Sequence, residues 1–435
     1  MKKILVLGAG LVAPPLVRYL LKEAGLDVTV ADMNAARAQE LVGGHPAGRG
    51  VHLDADDESA LSALIEAAEV VVSLLPPPFH PRVARACVHH KRHMVTSSYV
   101  SDEMRALDAE AKEAGLLLLN EVGLDPGLDH MAAKRIIDHV QAADGKVRGF
   151  WSYCGGLPDP KSITTPWSYK FSWSPRGAVA AARNPARYLE HGEVVKIPAW
   201  DLFIVTRFLL VDTLGYLEAY PNRDSLPYVE LYGLEGIEDM YRGTLRYPGH
   251  CVTWLALSRC GMLDVSERVG VADKSHAQFV AELCHGRPGR AREAFARKAS
   301  IPVQCDSLHR LEWLGMFSDD KIGIEPTSPL DVLARKLQEK LTYAPGERDM
   351  VVQVHEFAVT DADGSERRLS SRLLEYGDAT GISAMSRTVG LPTAVATRLV
   401  CEGRISLRGV RIPVHAEIYD PILDALVHEG VEFSE

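Results

Sequence analysis

Three absences limit what this 435-residue chain can be. Its seven cysteines include no CxxC pair, which argues against a zinc site and against a disulfide framework, so we expect no metal, reduced thiols and a cytoplasmic location. No apolar run approaches the ~20 residues that span a bilayer. There is no excess of positive charge either: the net charge is −10, which argues against nucleic acid or an anionic membrane as the main partner.

The N-terminus carries a dinucleotide-binding pattern. Residues 3–7 form a short apolar run typical of a buried parallel strand, and Gly8-Ala-Gly-Leu-Val-Ala13 follows directly. In this GxGxxA pattern the first glycine permits a tight turn, the second lets the backbone approach a pyrophosphate, and the alanine lets a helix pack on the strand. We therefore expect a nicotinamide dinucleotide with its phosphates at the N-terminus of that helix.

An acidic residue follows at the spacing expected for a ribose contact. Residues 27–31 predict a second strand, and Asp32 ends it. A carboxylate at this point can accept hydrogen bonds from the adenosine ribose hydroxyls and repels a 2′-phosphate. The sequence thus favours NAD(H); NADP(H) stays possible because Arg37 lies nearby and could pair with a phosphate.

Further strand-like runs alternate with segments of helical spacing up to about residue 120. The predicted strands are 51–54, 69–75, 93–99 and 116–119, and the predicted helices are 59–68, 81–91 and 102–114. Repeated βα units predict a doubly wound parallel sheet. Ligands bind outside the carboxyl ends of such strands, so the loops after these strands should face one crevice.

Longer motifs continue in order along the chain. They are residues 96–100, 120–130, 152–158, 169–174, 220–224, 242–246 and 346–350. In these segments the sequence resembles saccharopine reductase, the glutamate-forming saccharopine dehydrogenase of lysine metabolism. The resemblance implies an oxidoreductase that joins 2-aminoadipate 6-semialdehyde to L-glutamate as an imine and reduces the imine with NAD(P)H to saccharopine, or runs the reverse. It also implies a homodimer.

The chain departs from the fungal members at one informative place. Those enzymes have Cys-Arg-Thr where this sequence has Asp32-Met33-Asn34. Because the arginine suits a 2′-phosphate, its replacement beside an acidic residue again favours NAD(H).

The resemblance also implies a domain plan of the α/β class. It has an N-terminal doubly wound Rossmann domain and a second α+β domain for substrate and dimer contacts, with a helical insertion. The boundaries that we expect are 1–124 for the Rossmann domain, completed by a helical segment near 382–402; 125–250 and 344–381 for the second domain; and 251–343 for the insertion. Strand-like stretches in the second domain occur at 147–153, 194–197, 202–205 and 350–358.

Imine chemistry needs groups that accept and donate protons. Tyr99, Asp125 and Cys154 fall at strand ends or loops expected to face the crevice, and the family's acid–base candidates match these positions. Each has another reading: Asp125 can open a turn before Pro126, Cys154 can be a small buried filler, and Tyr99 can bind substrate without exchanging a proton.

Carboxylate substrates need cationic partners. Arg223 and Arg246 are the leading candidates because a guanidinium binds a carboxylate in bidentate fashion. The predicted substrate-binding residues are Ser98, Tyr99, Asp125, Arg223, Thr244 and Arg246. The predicted cofactor-binding residues are Gly8, Gly10, Leu11, Val12, Ala13, Asp32, Met33, Asn34, Asp54, Ala55, Leu75, Ser97, Ser98, Leu124, Asp125, Pro126 and, from the resemblance alone, Ser174.

Two other functions stay open from the sequence. A carboxynorspermidine-type synthase is a related imine reductase that joins aspartate semialdehyde to a diamine, and it would favour more acidic residues and fewer arginines at the site. A dinucleotide-binding sensor or subunit without catalysis belongs to another class. Intact acid–base candidates at Tyr99, Asp125 and Cys154 disfavour the second alternative.

Overall fold

The computed structural model describes residues 1–172, 175–325, 327–378 and 381–435. Its strands are β1 (Lys2–Leu7), β2 (Leu26–Asp32), β3 (Gly48–His52), β4 (Val70–Ser73), β5 (His93–Thr96), β6 (Leu117–Leu119), β7 (Lys146–Pro158), β8 (Ala186–Glu190), β9 (Glu193–Ile197), β10 (Arg207–Val211), β11 (Gly215–Pro221), β12 (Asp239–Arg246), β13 (Asp349–Thr360), β14 (Glu366–Tyr376) and β15 (Gly409–Arg411).

The α-helices are α1 (Ala13–Lys22), α2 (Ala35–Val42), α3 (Glu58–Glu66), α4 (His80–His89), α5 (Asp102–Arg105), α6 (Asp108–Glu113), α7 (Leu128–Ala142), α8 (Pro175–Ala181), α9 (Pro227–Tyr232), α10 (His250–Arg259), α11 (His276–Leu283), α12 (Ala291–Ala299), α13 (Asp306–Leu314), α14 (Pro329–Lys340), α15 (Ala384–Cys401) and α16 (Ala416–His428). None of these described helices combines the length and the apolar character that crossing a membrane requires.

The chain folds into two compact units. The first comprises Met1–Lys146, Thr360–Glu366 and Ser371–Glu435, and the second comprises Val147–Val359 and Arg367–Ser370. This division assigns residues 125–146, which contain α7, to the first unit, whereas the sequence analysis placed them in the second domain. The functional domain boundaries stay a prediction.

A parallel sheet of seven strands forms the centre of the first unit, in the order β15-β6-β5-β4-β1-β2-β3. Strand β4 is buried along its whole length, as the apolar runs predict for strands covered on both faces. The strand order reverses between β1 and β4, and ligands of such sheets bind outside the carboxyl ends at this switch point. The predicted doubly wound α/β fold is confirmed.

Helix α15 joins the first unit from near the end of the chain. It packs against α1 and lies close to β4 and β5. Gly390 permits the approach, because a Cβ there would lie 2.6 Å from the carbonyl oxygen of Val12. Thr393 Oγ1 donates to the Val122 carbonyl over 2.6 Å. The glycine loop and the loop after β6 are therefore both supported by this helix.

The second unit is built on a mixed sheet. Its order is β10-β11-β12-β7-β13-β14, with β8 paired to β12 and β9. Strands β12 and β7 run parallel, whereas β10, β11 and β12 run antiparallel to one another. Helices α10 to α14 supply much of one large apolar core, in which Trp254, Phe279, Phe295 and Leu333 are buried.

One predicted strand of the second unit does not form. Residues 202–205 follow a 3₁₀ turn at Ala199–Asp201 and continue as a turn, and the strand begins only at Arg207. Leu202 and Phe203 are consecutive and both buried in the core of this unit, whereas alternate burial is expected of a half-exposed strand. The prediction of a strand at residues 202–205 is wrong.

Candidate active site

The glycine loop has the geometry that a dinucleotide phosphate requires. Gly8 adopts φ +103°, and a Cβ there would lie 3.2 Å from the Leu74 carbonyl oxygen. At Gly10, by contrast, an added Cβ meets no described atom within 4 Å, so the space beside this backbone is open. Helix α1 begins at Ala13 without a side-chain cap among the described residues, which leaves its N-terminal amides available to an anion. These residues fit the pyrophosphate of a dinucleotide.

Asp32 is engaged by the backbone. Its Oδ2 accepts a hydrogen bond from Ala9 N over 2.7 Å, and its Oδ1 accepts one from Asn34 N over 2.8 Å. The carboxylate therefore ties the end of β2 to the glycine loop. Asn34 in turn caps α2 through a 3.1 Å bond from Arg37 N, and Met33 is exposed.

The other predicted cofactor residues lie in the glycine loop or in segments that follow strands of the parallel sheet. Asp54 and Ala55 follow β3, Leu75 follows β4, Ser97 and Ser98 follow β5, Leu124 and Pro126 follow β6, and Leu11 and Val12 lie in the glycine loop. Leu11 is 58% exposed beside Gly10. Ser174 lies outside the described residues.

Tyr99 and Asp125 form a pair in the first unit. The Tyr99 hydroxyl donates to Asp125 Oδ1 over 2.9 Å, and both residues are half-buried. The turn after Asp125 is held by another acid: Gly127 N donates to Asp129 Oδ1 over 2.6 Å. Asp129 thus holds the turn at Gly127, and a phenol orients the Asp125 carboxylate.

A buried pair supports the loops that carry Tyr99 and Asp125. His130 Nε2 lies 2.9 Å from Glu121 Oε2, and Glu121 Oε1 accepts from Val100 N over 2.9 Å. Glu121 has φ +59°, a left-handed conformation that non-glycine residues seldom adopt. His130 is fully buried.

Three predicted residues of the second unit lie on one face of its sheet. Thr244 of β12 is the register partner of Cys154 on β7 and of Tyr220 on β11. Arg246 lies two residues further along β12, and side chains two apart on a strand point to the same face. The sheet therefore brings Cys154, Thr244 and Arg246 together.

Arg246 carries a buried positive charge. It is 8% exposed, and its guanidinium carbon lies 4.9 Å from the ring centroid of Tyr169 and 5.9 Å from that of Tyr220. Its Nη1 donates to the Leu245 carbonyl, whereas its Nε finds no partner in the described part of the chain. Glu218, its register partner on β11, instead accepts from the backbone at the start of α10. A desolvated cation of this kind is suited to an anionic ligand.

Arg223 lies apart from this face. It is exposed and adopts φ +56°, just after β11, and its carbonyl accepts from Arg187 N over 3.0 Å. Positive φ in a non-glycine residue costs backbone energy and is often found at functional loops. Its role in binding a carboxylate stays a prediction.

Sequence reasoning missed His80. The proline-rich loop that precedes it was expected to face the crevice, but no role was predicted for His80, which the structure buries between Ser73 and Ser98. A histidine next to a loop that follows a central strand was the available signal.

Comparisons with known proteins agree with this geometry. Residues 4–119 match the family described as "Saccharopine dehydrogenase NADP binding domain", and residues 123–431 match "Saccharopine dehydrogenase C-terminal domain". Saccharopine dehydrogenase [NADP(+), L-glutamate-forming] from Pyricularia oryzae is 38% identical over 100% of this chain and 98% of its own length. The enzyme of the same name from Saccharomyces cerevisiae is 38% identical over 98% of this chain and 96% of its own.

A solved structure gives the same result. The apo, histidine-tagged saccharopine dehydrogenase (L-Glu forming) from Saccharomyces cerevisiae superposes with a TM-score of 0.90 at 37% identity, covering 100% of this chain and 99% of that one. The mitochondrial alpha-aminoadipic semialdehyde synthase of Bos taurus is 35% identical over the whole of this chain, which spans 47% of that protein.

The predicted preference for NAD(H) is wrong. The family that matches residues 4–119 is described as an NADP binding domain, and the curated relatives from Pyricularia oryzae and Saccharomyces cerevisiae carry NADP(+) in their names. The physical reason lies in Asp32, whose two carboxylate oxygens are bound by the amides of Ala9 and Asn34 and thus brace the loop. The expected resemblance and the expected α/β fold are confirmed by the same matches, which cover both parts of the chain. The chain belongs to the saccharopine dehydrogenase family.

Proposed function

We propose that this protein is an NADP-dependent saccharopine dehydrogenase of the L-glutamate-forming kind. It interconverts saccharopine with L-glutamate and 2-aminoadipate 6-semialdehyde, acting on a CH–NH group. The observation that carries this function is the pair formed by Tyr99 and Asp125 within a chain that matches both family descriptions, over residues 4–119 and 123–431. A phenol bonded to a carboxylate is an arrangement that can hold and move a proton.

Asp125 is the proton-transfer group of the proposal. In the oxidative direction the secondary amine of saccharopine loses a proton and the neighbouring carbon loses a hydride, which gives an imine. A nicotinamide dinucleotide held at the glycine loop of Gly8 and Gly10 would supply the acceptor for that hydride. Water then adds to the imine carbon, and protonation of the nitrogen releases glutamate and leaves the semialdehyde. Tyr99 fixes the direction in which the Asp125 carboxylate points.

Cys154 is the weaker acid–base candidate. Its side chain is 8% exposed and shares a sheet face with Thr244. A buried thiol beside a hydroxyl can act as a weak donor to substrate without losing its proton. We assign Cys154 to contact with substrate and leave proton transfer to Asp125.

Arg246 binds a substrate carboxylate. Saccharopine and glutamate both carry carboxylates, and the tyrosine rings that flank the guanidinium keep water away from it. A carboxylate that reaches Arg246 would neutralise a charge that is already desolvated, so little further dehydration of the protein is needed. The same buried cation opposes a diamine substrate, which would bring like charges together. Thr244 on the same face supplies a hydroxyl, and Arg223 is a second carboxylate candidate.

The 2′-phosphate of NADP needs a cationic partner that replaces the arginine missing at Met33. A cleft of about 1070 Å³ in the first unit is lined by Arg18, Lys22, Asn34 and Arg37, with Glu40 the acidic lining residue. Arg18, Lys22 and Arg37 are exposed and make no ion pair with any described residue. Arg37 follows Asn34 by three residues, on the first turn of α2, so we assign the phosphate contact to Arg37 with support from Asn34.

The amine substrate tests this function against the other imine reductases. The purified protein should consume NADPH when given 2-aminoadipate 6-semialdehyde and glutamate, and mass spectrometry should identify saccharopine. Diaminopropane with aspartate semialdehyde is the control pair. Preference for the control pair would contradict the proposal. The homodimer and the cytoplasmic location stay predictions.

A further inference from the structure

Three hydrogen-bonded side chains connect the ends of two neighbouring strands in the first unit. Ser73 ends β4, His80 opens α4, and Ser98 follows β5. His80 Nδ1 lies 2.9 Å from Ser73 Oγ, and His80 Nε2 lies 2.7 Å from Ser98 Oγ. Ser73 is 0% exposed and His80 is 4% exposed, whereas Ser98 is half-buried and faces partly outward.

The imidazole of His80 is neutral. Burial lowers the pKa of His80 to about 4. Its position at the N-terminus of α4 acts in the same direction, because the positive end of a helix disfavours a cation. A neutral imidazole has one N–H and one acceptor nitrogen. The direction of the hydrogen bonds from Ser73 through His80 to Ser98 therefore depends on which nitrogen holds the proton.

Ser73 decides the tautomer. Its hydroxyl has His80 as its sole hydrogen-bonding partner in the described ranges. If His80 Nδ1 carried the proton, the buried Ser73 hydrogen would have no acceptor, which is costly in an apolar interior. Ser73 therefore donates to Nδ1, and Nε2 donates to Ser98 Oγ. The remaining hydrogen of Ser98 then points away from His80.

The backbone around Ser98 is fixed as well. Thr96 Oγ1 donates to the Ser73 carbonyl over 2.8 Å, and Ser98 N donates to Thr96 Oγ1 over 3.3 Å. Glu121 N donates to the Ser98 carbonyl over 3.1 Å. Two neighbours, Thr96 and Glu121, thus hold the Ser98 main chain, and the orientation of its hydroxyl is left to His80.

We propose that His80 is a positioning residue that makes Ser98 a hydrogen-bond donor to an anionic oxygen of a bound ligand. The proposal rests on the function above, in which both ligands are anionic. The oxygen can belong to a carboxylate of the amino-acid substrate or to a phosphate of the dinucleotide, and the chemistry of recognition is the same. His80 itself touches neither ligand.

Two substitutions separate the halves of the imidazole. The amide of Asn can replace the Nδ1 contact to Ser73, whereas the longer Gln can reach the position of Nε2 and donate to Ser98. H80N should therefore lose the contact to Ser98, and H80Q should keep it. S98A and the double variant H80N/S98A complete a cycle that measures the coupling between the two residues.

The test uses two readouts. The Kd of NADPH is measured by fluorescence titration without substrate, and KM and kcat for saccharopine are measured with saturating NADP+. For whichever ligand Ser98 serves, S98A and H80N should each weaken binding about tenfold, the effect of one hydrogen bond. H80Q should stay within about threefold of the parent protein. The double variant should bind no worse than S98A, and kcat should change less than KM.

Several results would overturn the positioning role. The role would be overturned if H80N bound both ligands as tightly as the parent protein. It would also be overturned if the double variant H80N/S98A bound about a hundredfold more weakly, because the two effects would then be independent. Equal losses in H80N and H80Q would also overturn it. If circular dichroism shows that H80N does not fold, S73A makes the same test from the other side of His80. S73A alone should weaken binding of the same ligand, and S73A added to S98A should have no further effect. Failure of the parent protein to oxidise saccharopine would sink the proposed function. The positioning role would then stand if H80N and S98A weaken NADPH binding as described, and it would be overturned if neither variant does.

Discussion

The Tyr99 hydroxyl lies 2.9 Å from Asp125 Oδ1, and the two residues come from the loops after β5 and β6. Adjacent parallel strands bring these loops together, since β5 pairs with β6. The phenol is the donor and the carboxylate the acceptor, so the two side chains have different parts in the pair. Removing each one in turn separates orientation from proton transfer.

Asp125→Asn should remove proton transfer and keep the shape of the site. We expect kcat for saccharopine oxidation to fall at least 100-fold, because an amide cannot accept the amine proton and general base catalysis is worth about 10²–10⁴. Tyr99→Phe is the matched variant: it loses one hydrogen bond to Asp125, and kcat should fall about tenfold. Steady-state kinetics of both variants checks the order. A larger loss in Tyr99→Phe would assign proton transfer to the tyrosine.

Arg246→Met should separate binding from stability. The methionine removes a buried cation that has no acidic partner among the described residues, so the midpoint of thermal unfolding should stay the same or rise. The KM for saccharopine should rise about 100-fold, while the Kd of NADPH stays unchanged. Calorimetry and kinetics measure the two effects.

Arg310 provides the control for that variant. It is also buried, but it donates to the carbonyls of Pro166, Gly249 and Pro248 and to Thr253 Oγ1. Arg310→Met strands those acceptors, so the unfolding midpoint should fall clearly. Equal destabilisation by the two substitutions would contradict the assignment of Arg246 to a ligand.

Arg37→Ala should weaken the binding of NADPH and leave the binding of NADH unchanged. Loss of a guanidinium from a phosphate contact costs about 1.5–3 kcal/mol, which corresponds to an increase of at least tenfold in the Kd of NADPH. Titration calorimetry with 2′,5′-ADP isolates the phosphate from the nicotinamide. Arg335→Ala, on α14 of the second unit, is the control for loss of one surface charge. A tenfold loss for NADH as well would place Arg37 at another part of the cofactor.

Acid should destabilise the protein through its buried histidines. Burial lowers the pKa of His80 to about 4, and burial with the charges of Arg246 and Arg310 lowers the pKa of His250. An unfolded histidine titrates near 6.5, so below that pH the unfolded state binds more protons than the folded state. The stabilisation is complete above pH ~6.5 and is lost as the pH falls towards 4.

Denaturant unfolding between pH 6 and 4.5 measures this effect. For every unit by which the pH falls in this range, each histidine should lower the free energy of unfolding by up to about 1.4 kcal/mol. H80Q removes one of these groups, so its curve should be flatter than that of the parent protein by that slope. Identical slopes would show that the His80 imidazole is protonated in the folded protein.

The fold of the first unit could be predicted from the sequence because the patterns that indicate its strands and helices are local. Residues 70–72, for example, are three consecutive valines, and a strand covered on both faces has such a continuous apolar run. Residues 202–205 were misread because Leu202 and Phe203 are buried by helices far away in sequence, which periodicity cannot report. Tertiary contacts override local pattern most easily in such short segments.

The candidate site was predicted in its residues more than in its contacts. Tyr99 and Asp125 were both named from the sequence, yet their hydrogen bond depends on the pairing of β5 with β6. The inference from Asp32 failed for the same reason: its position was right, but its partners are the backbone amides of Ala9 and Asn34, which a side-chain motif does not reveal. His80 was missed because its partners, Ser73 at the end of β4 and Ser98 after β5, come together with it only in the folded sheet.

Saccharopine oxidation with NADP+ tests the central claim most directly. The purified protein is incubated with saccharopine and NADP+, NADPH is followed by its absorbance, and the products are identified by mass spectrometry. We predict formation of NADPH together with equal amounts of L-glutamate and 2-aminoadipate 6-semialdehyde, and loss of this turnover in Asp125→Asn. Release of lysine in place of glutamate, or no turnover by a folded protein that binds NADPH, would contradict the account.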